Sequence, residues 1–216
     1  MEKNKIKVLN LYCGIGGNRM GWKEFDDIIE VTAVEIDEEI AKIYKKQFPN
    51  DKVIVDDAHD YLLKHFREYD FIWSSCPCVS HSRVRKQLAF KKKPDGSIYE
   101  QNKPIYPDMR LYEEIILLDN YYSGIYCCEN VVPYYEPLIE PQKLGRHFFW
   151  SNMKLPKIKF ETRGSFDNAT EMLSSMGFND NIYEGSKGVS KLRTARNCLE
   201  PEISKYIFKC FLENIK

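Results

Sequence analysis

The sequence predicts an α/β fold built on a mostly parallel central sheet. Two observations carry this. Short apolar runs at 6–12, 30–35, 53–55, 69–73 and 124–128 alternate with segments whose apolar residues recur at helical spacing. The first run leads into a glycine-rich turn and the second ends on an acid nineteen residues beyond Gly16, the arrangement by which doubly wound folds hold a nucleoside.

The elements follow in order. Ile6 to Tyr12 is the first strand, and Cys13-Gly14-Ile15-Gly16-Gly17-Asn18-Arg19-Met20-Gly21 then supplies four glycines in eight residues. Glycines there let backbone approach a ligand and leave helix N-terminal amides facing it. Gly21 falls outside the G-x-G-x-x-G spacing, which favours a ligand with an adenosine but no pyrophosphate. The second strand ends at Glu35, a candidate for ribose hydroxyls. A helix over Asp37–Gln47 buries Ile40, Ile43 and Tyr44. The third strand, Val53–Val55, ends in Asp56-Asp57, and either carboxylate could accept from an adenine amino group. His59 reads as a helix-start surface residue.

A helix over Tyr61–Arg67 precedes the fourth strand, Tyr69–Trp73, which delivers Ser74-Ser75-Cys76-Pro77-Cys78 into a loop. A thiol one residue after a proline, at the end of a buried strand, has a fixed backbone approach and stands where a nucleophile would. Both cysteines read equally well as small buried hydrophobes. Arg83, Arg85, Lys86, Lys91, Lys92 and Lys93 follow without an intervening acid. Such a run suits a polyanionic partner, or is a solvated loop. Prolines and Gly96 make 94–107 irregular. A helix over Asp108–Tyr121 leads to a strand over Gly124–Cys128 that ends on Glu129, either a site acid or a capping or surface acid. Residues 132–142 read as loop and Arg146–Trp150 as strand. From 154 to 189 the pattern weakens, as for a small subdomain or a substrate-facing insert. Glu200-Pro201-Glu202 opens a final helix to about Leu212.

The 216 residues are enough for one domain with a full core. Net charge is zero, so the molecule is no basic nucleic-acid glove. No apolar run approaches the ~20 residues of a membrane span, and the first strand follows at once on a polar start, so a cytoplasmic protein is expected. Seven cysteines without framework spacing point to reduced thiols. Cys76-Pro77-Cys78 is too tight for paired zinc ligands and Cys127-Cys128 point to opposite faces of a strand, so no metal is expected.

Asn10-Leu11-Tyr12-Cys13-Gly14-Ile15-Gly16-Gly17, Ser74-Ser75-Cys76-Pro77-Cys78, Glu129-Asn130-Val131 and Asn197-Cys198-Leu199-Glu200-Pro201 stand in one family's order. Over residues 6 to about 152 and about 190 to 212 the chain resembles the cytosine-C5 DNA methyltransferases. The resemblance implies a Rossmann-like S-adenosylmethionine-dependent methyltransferase fold: a catalytic core over 1–153, a reduced target-recognition insert over 154–189, and a C-terminal helix over 190–216 completing the core. It implies methyl transfer from S-adenosylmethionine to C5 of a flipped cytosine in DNA. Cys78 would be the nucleophile, Glu129 the acid at N3 and Arg146 the arginine near O2. Tyr12, Gly14, Gly16, Gly17, Glu35, Ile36, Asp57, Ala58, Pro77 and Asn197 would hold the cofactor, with Asp57 preferred to Asp56 at the adenine amino group. Ser80, Ser82, Arg83, Arg85 and Lys86 would meet DNA. A thiolate is nucleophilic enough at neutral pH for C6, and the basic run would favour it.

The chain departs from the family pattern at five positions. Cys76 replaces a proline, Asn10 an aspartate and Tyr12 a phenylalanine, Asn18 stands where an aromatic is common, and Phe148 stands where a second arginine is expected. Only about 45 residues separate the arginine and asparagine segments, too few for a typical recognition domain. A compact enzyme of this kind resembles those of phages and mobile elements, working in a bacterial or phage-infected cell, with a recognition subunit or restriction enzyme as a further partner. Two other readings stay open: a non-catalytic or partner-dependent subunit of this fold that binds DNA, and methylation of RNA.

Overall fold

The structure is a computed structural model that describes residues 5–100, 103, 105–160, 166 and 168–215. Its strands are β1 (Ile6–Leu11), β2 (Ile29–Glu35), β3 (Lys52–Val55), β4 (Phe71–Ser74), β5 (Phe90–Lys92), β6 (Ile98–Glu100), β7 (Ile125–Val131), β8 (Gln142–Leu144) and β9 (His147–Trp150). Its helices are α1 (Gly17–Met20), α2 (Glu38–Gln47), α3 (Ala58–His65), α4 (Arg83–Ala89), α5 (Arg110–Tyr121), α6 (Ala169–Ser175), α7 (Lys191–Asn197) and α8 (Pro201–Asn214). Seven strands form one sheet in the order β3-β2-β1-β4-β7-β9-β8. The first five are parallel and β9 and β8 run antiparallel at the edge. The mostly parallel Rossmann-like sheet expected from the sequence is thus present.

The apolar runs are continuous because both faces of the sheet are covered. Val8, Val31, Phe71, Trp73, Cys127 and Phe149 pack against Ile203, Ile207, Phe208 and Phe211 of α8. Leu9, Leu11, Ile72, Tyr126 and Cys128 pack against Leu62 of α3 and Leu111, Ile115 and Leu118 of α5. Cys127 and Cys128 therefore do separate to opposite faces. Phe208 and Phe211 are fully buried, and each contributes about 1.5–3 kcal/mol. The C-terminal helix is accordingly part of the core.

Several boundaries differ from expectation, each for a local reason. The stretch expected to be a basic loop forms α4 and then a β5–β6 hairpin, turned at Gly96 with φ +85. β7 continues through Glu129 to Val131 because β9 pairs with it, Glu129 opposite Phe149 and Val131 opposite His147. Arg146 lies in the tight β8–β9 turn beside Gly145 (φ +58), not at a strand start. α3 begins at Ala58, earlier than its apolar pattern indicated, because Asp57 accepts hydrogen bonds from the backbone N–H of His59 and Asp60. Within 154–189, Leu173, Met176, Phe178, Ile182 and Tyr183 share a cluster with Ile15 and with Ile43, Tyr44 and Phe48 of the α2 region. No helix among the described residues is long and apolar enough to cross a membrane.

The start of α1 is anchored by buried polar groups. Asn18 Nδ2 donates to Asn10 Oδ1 at 2.7 Å inside the core. Arg19, 3% exposed, donates to both carboxylate oxygens of Asp51 at 2.8 and 3.0 Å, and Tyr44 donates to the same group at 2.8 Å. Arg19 Nη2 also pairs with the half-exposed Asp26 at 2.6 Å, so loss of Asp51 leaves the buried guanidinium with that one carboxylate and Tyr44 OH without its acceptor. Asp51→Ala is therefore expected to lower the unfolding free energy by roughly 2–3 kcal/mol, read as the shift in urea midpoint.

Candidate active site

β1 and β4 are neighbours although β2 and β3 come between them in sequence, so the chain crosses over in opposite directions from this pair. The carboxyl ends at such a switch point open into a crevice. The first wall is the Tyr12–Gly17 turn. Tyr12 and Gly14 both have positive φ, +53 and +54. A Cβ built on Gly14 would meet nothing within 4 Å, whereas on Gly17 it would stand 2.6 Å from Cys198 Cβ. Gly14 thus leaves open space on the crevice side. Gly17 lets the chain after α7 pack directly on the turn, which brings the exposed Asn197 alongside.

Glu35 ends β2 with its carboxylate already oriented. Oε2 accepts from Gly14 N–H and Oε1 from Asp37 N–H, both at 3.0 Å. Burial raises its pKa and these backbone donors hold it back. Ile36 beside it is 67% exposed, an apolar surface at the rim. Asp57 is partly committed: Oδ1 caps α3 and Oδ2 accepts from Arg110 Nη1 at 2.9 Å. Burial acts to raise the Asp57 pKa, but Arg110 and the two cap amides outweigh it and the net shift is downward. Ala58 is buried behind it and Pro77 is exposed at the opposite wall.

The second wall is the turn after β4. Cys78 carbonyl accepts from the N–H of His81 and Ser82, both at 3.0 Å, closing one helical turn behind the thiol. Asn130 Nδ2, buried on β7, donates to Cys76 O at 3.0 Å and ties this turn to its neighbouring strand. The two cysteines are now distinguishable. Cys76 is 6% exposed and its thiol lies 3.1 Å from Glu114 Oε2, to which it donates. Burial and that carboxylate push its pKa well up, which keeps it a thiol. Cys78 is half-buried and carries no such commitment. Its own pKa is raised by burial and then by the charge of Glu129. Burial and the Glu129 charge thus act against the thiolate that the basic run was expected to favour.

Glu129 stands on β7 next to that thiol, with its side chain 13% exposed. Burial, chiefly, and the charge of Glu200 push its carboxyl to about 7, against the pull of a Ser75 hydrogen bond and of Arg146. Arg146 itself is 63% exposed and pairs with Glu200 at 2.9 Å. His147 Nε2 lies 3.8 Å from Glu129 Oε1, a neighbour the sequence pattern did not single out.

Of the residues expected at DNA, Ser80 accepts from Asp108 N–H at 2.9 Å, Ser82 bridges to Pro133, and Arg83 Nε donates to Pro133 O at 3.2 Å. Arg85 and Lys86 fall on α4 with side chains outside the described residues. Glu114, Arg110, Asn130 and His147 are the residues of the site that sequence reasoning missed. For Glu114 the available signal was an acid at a core-facing position of the α5 pattern. Among the described residues no three His, Cys, Asp or Glu are grouped to hold a metal.

The sheet order, the switch-point crevice and the acid at the end of β2 define the α/β methyltransferase class of fold. A solved methyltransferase of Entamoeba histolytica, EhMeth, shares this fold: it matches 99% of this chain and 100% of its own with a TM-score of 0.57, at 11% identity. Residues 6–103 match the family described as C-5 cytosine-specific DNA methylase. Type II methyltransferase M.Bsp6I of Bacillus sp. (strain RFL6) is 27% identical over 94 residues, 44% of this chain and 30% of that protein. Type II methyltransferase M1.ScrFI of Lactococcus lactis subsp. cremoris is 30% identical over 89 residues, 40% of this chain and 22% of that protein. The chain spans less than a third of the length of these curated relatives.

The raised Glu129 carboxyl has a consequence for stability. Between the ordinary value of 4.5 and about 7 the folded chain binds a proton the unfolded chain has lost, so this group's contribution is complete below about 4.5 and is lost as pH rises through 7. Glu129→Gln is expected to gain stability over the parent on going from pH 5 to pH 8, by on the order of 2–3 kcal/mol, in paired urea titrations.

Proposed function

We propose that this chain transfers a methyl group from S-adenosylmethionine to C5 of cytosine in DNA through a covalent Cys78 adduct. The observation that carries the reading is a half-buried thiol in the turn after β4, within electrostatic range of a carboxyl on the neighbouring strand β7 that is pushed to about 7. A weakly acidic carboxyl at that position can hold a proton at neutral pH and give it up when negative charge develops next to it.

The crevice fits the cofactor. The open face above Gly14, the two remaining lone pairs of the oriented Glu35 carboxylate and the exposed Ile36 suit an adenosine whose ribose lies on Glu35. Tyr12, Gly16, Gly17, Asp57, Ala58, Pro77 and Asn197, at or just beyond the ends of β1, β3, β4 and α7, would hold the rest of the cofactor. When bound, S-adenosylmethionine supplies an electrophilic methyl carbon.

The chain's own groups prepare the acceptor. The target atom is hidden in a duplex, so the base must first leave the stack. Cys78 loses its proton to water and its sulfur bonds to C6, the C5–C6 π pair moves toward C5, and Glu129 donates its proton to N3. That protonation keeps the ring neutral while C5 becomes nucleophilic. Once C5 carries the methyl group its proton leaves to water, the C5–C6 double bond re-forms, sulfur departs and N3 returns its proton to Glu129. Arg146, within electrostatic range of Glu129, would steady O2. The exposed Lys91 and Lys92 on the β5 hairpin, with Ser80, Ser82 and Arg83, would contact phosphates and the target strand, and residues 154–189 would contribute to recognition.

Labelled methyl transfer to unmethylated mixed-sequence DNA, with RNA alongside, tests this. Label is expected in DNA, none with Cys78→Ala, and roughly 10²–10⁴-fold slower transfer with Glu129→Gln. No label in either nucleic acid with cofactor binding intact would overturn the isolated-enzyme reading, and label in RNA alone would move the substrate.

A further inference from the structure

Glu114 is a buried acid on α5 that the proposed chemistry does not use. Its Oε1 accepts from Tyr12 OH at 2.6 Å and lies 3.1 Å from His59 Nδ1, and its Oε2 accepts from Ser74 OH at 2.7 Å and Cys76 SH at 3.1 Å. An ionised carboxylate has about four acceptor sites, and with His59 donating from Nδ1 all four are filled. The donors come from the cofactor-side turn after β1, the start of α3, the end of β4 and the nucleophile turn. One helical turn earlier, Arg110 on the same helix holds Asp57.

Filling this volume needs no charge, since an apolar side chain would bury without a desolvation cost. What a fully bonded carboxylate adds is geometry: it fixes four groups relative to each other. Tyr12 and Cys76, two of the places where this chain departs from the family pattern, converge here. We propose that Glu114 is a positioning residue for the transfer, locking the Cys76-Pro77-Cys78 turn to the Tyr12 turn so that nucleophile and cofactor pocket keep one relative placement. The role rests on the methyl-transfer reading, but its test has a readout that does not.

That readout is alkylation of Cys78 by iodoacetamide, mapped by peptide mass, measured beside kcat, KM for S-adenosylmethionine and Tm. Glu114→Gln puts an amide N–H₂ against groups that also donate, and Cys76→Ala removes one donor. Both are expected to release the turn, so that Cys78 alkylates several-fold faster while kcat falls about tenfold or more, misplacement by an ångström being enough for such a loss. Cys76→Ser restores a hydroxyl donor and is expected to recover most of the parent's behaviour in both assays.

A merely structural role would lower Tm yet leave alkylation and kcat of the folded protein at parental values, which would overturn the proposal. Equal alkylation rates for Cys76→Ala and Cys76→Ser would overturn it too. Should the parent chain transfer no methyl group, faster alkylation in Glu114→Gln and Cys76→Ala, but not in Cys76→Ser, would sustain the lock and overturn only the proposed activity.

Discussion

The parallel pairing of β1 with β4, Val8 opposite Phe71 through Leu11 opposite Ser74, is the constraint on which the site depends. It places two turns side by side that are separated by some sixty residues of chain. One turn presents open backbone and an oriented acid; the other presents a thiol. Both strands are buried on both faces, so neither can slip by one residue without turning core side chains the wrong way. Precision at the site is therefore inherited from the sheet and its two helical layers.

Three of the acids around this crevice differ in their partners, which separates their roles. Glu114 is met by four groups and serves as a fixed acceptor. Glu35 is raised by burial but steadied by two backbone N–H groups, leaving it suited to accept hydrogen bonds. Glu129 has a hydroxyl donor and a distant arginine against burial and a second acid, and it alone is pushed to about 7. Acid–base chemistry follows from what a carboxylate lacks as much as from where it stands.

The departures from the family pattern are tied together rather than scattered. Asn10 and Asn18 bond to each other in the core, while Tyr12 and Cys76 share one carboxylate. The rigidity that a proline would give the nucleophile turn is supplied instead by a thiol donor below it and by the Asn130 amide beside it. Neither asparagine is left unpaired in the core.

Local pattern in the chain was enough for the five parallel strands, for β9, for the glycine turn and for the turn after β4, because periodicity and turn chemistry act between near neighbours. It also carried the resemblance to the family, through short motifs kept in order. It could not reveal the α4 and β5–β6 structure within the basic stretch, or the extension of β7, which exists only because β9 pairs with it. Residue pattern alone did not separate two cysteines two residues apart, and only the family resemblance pointed to Cys78. Tertiary packing gives the two thiols different surroundings, bringing Glu114 from 38 residues away onto Cys76 and leaving Cys78 within electrostatic range of Glu129. Burial and long-range hydrogen bonding set those surroundings, and both are properties of the folded chain rather than of any segment of it.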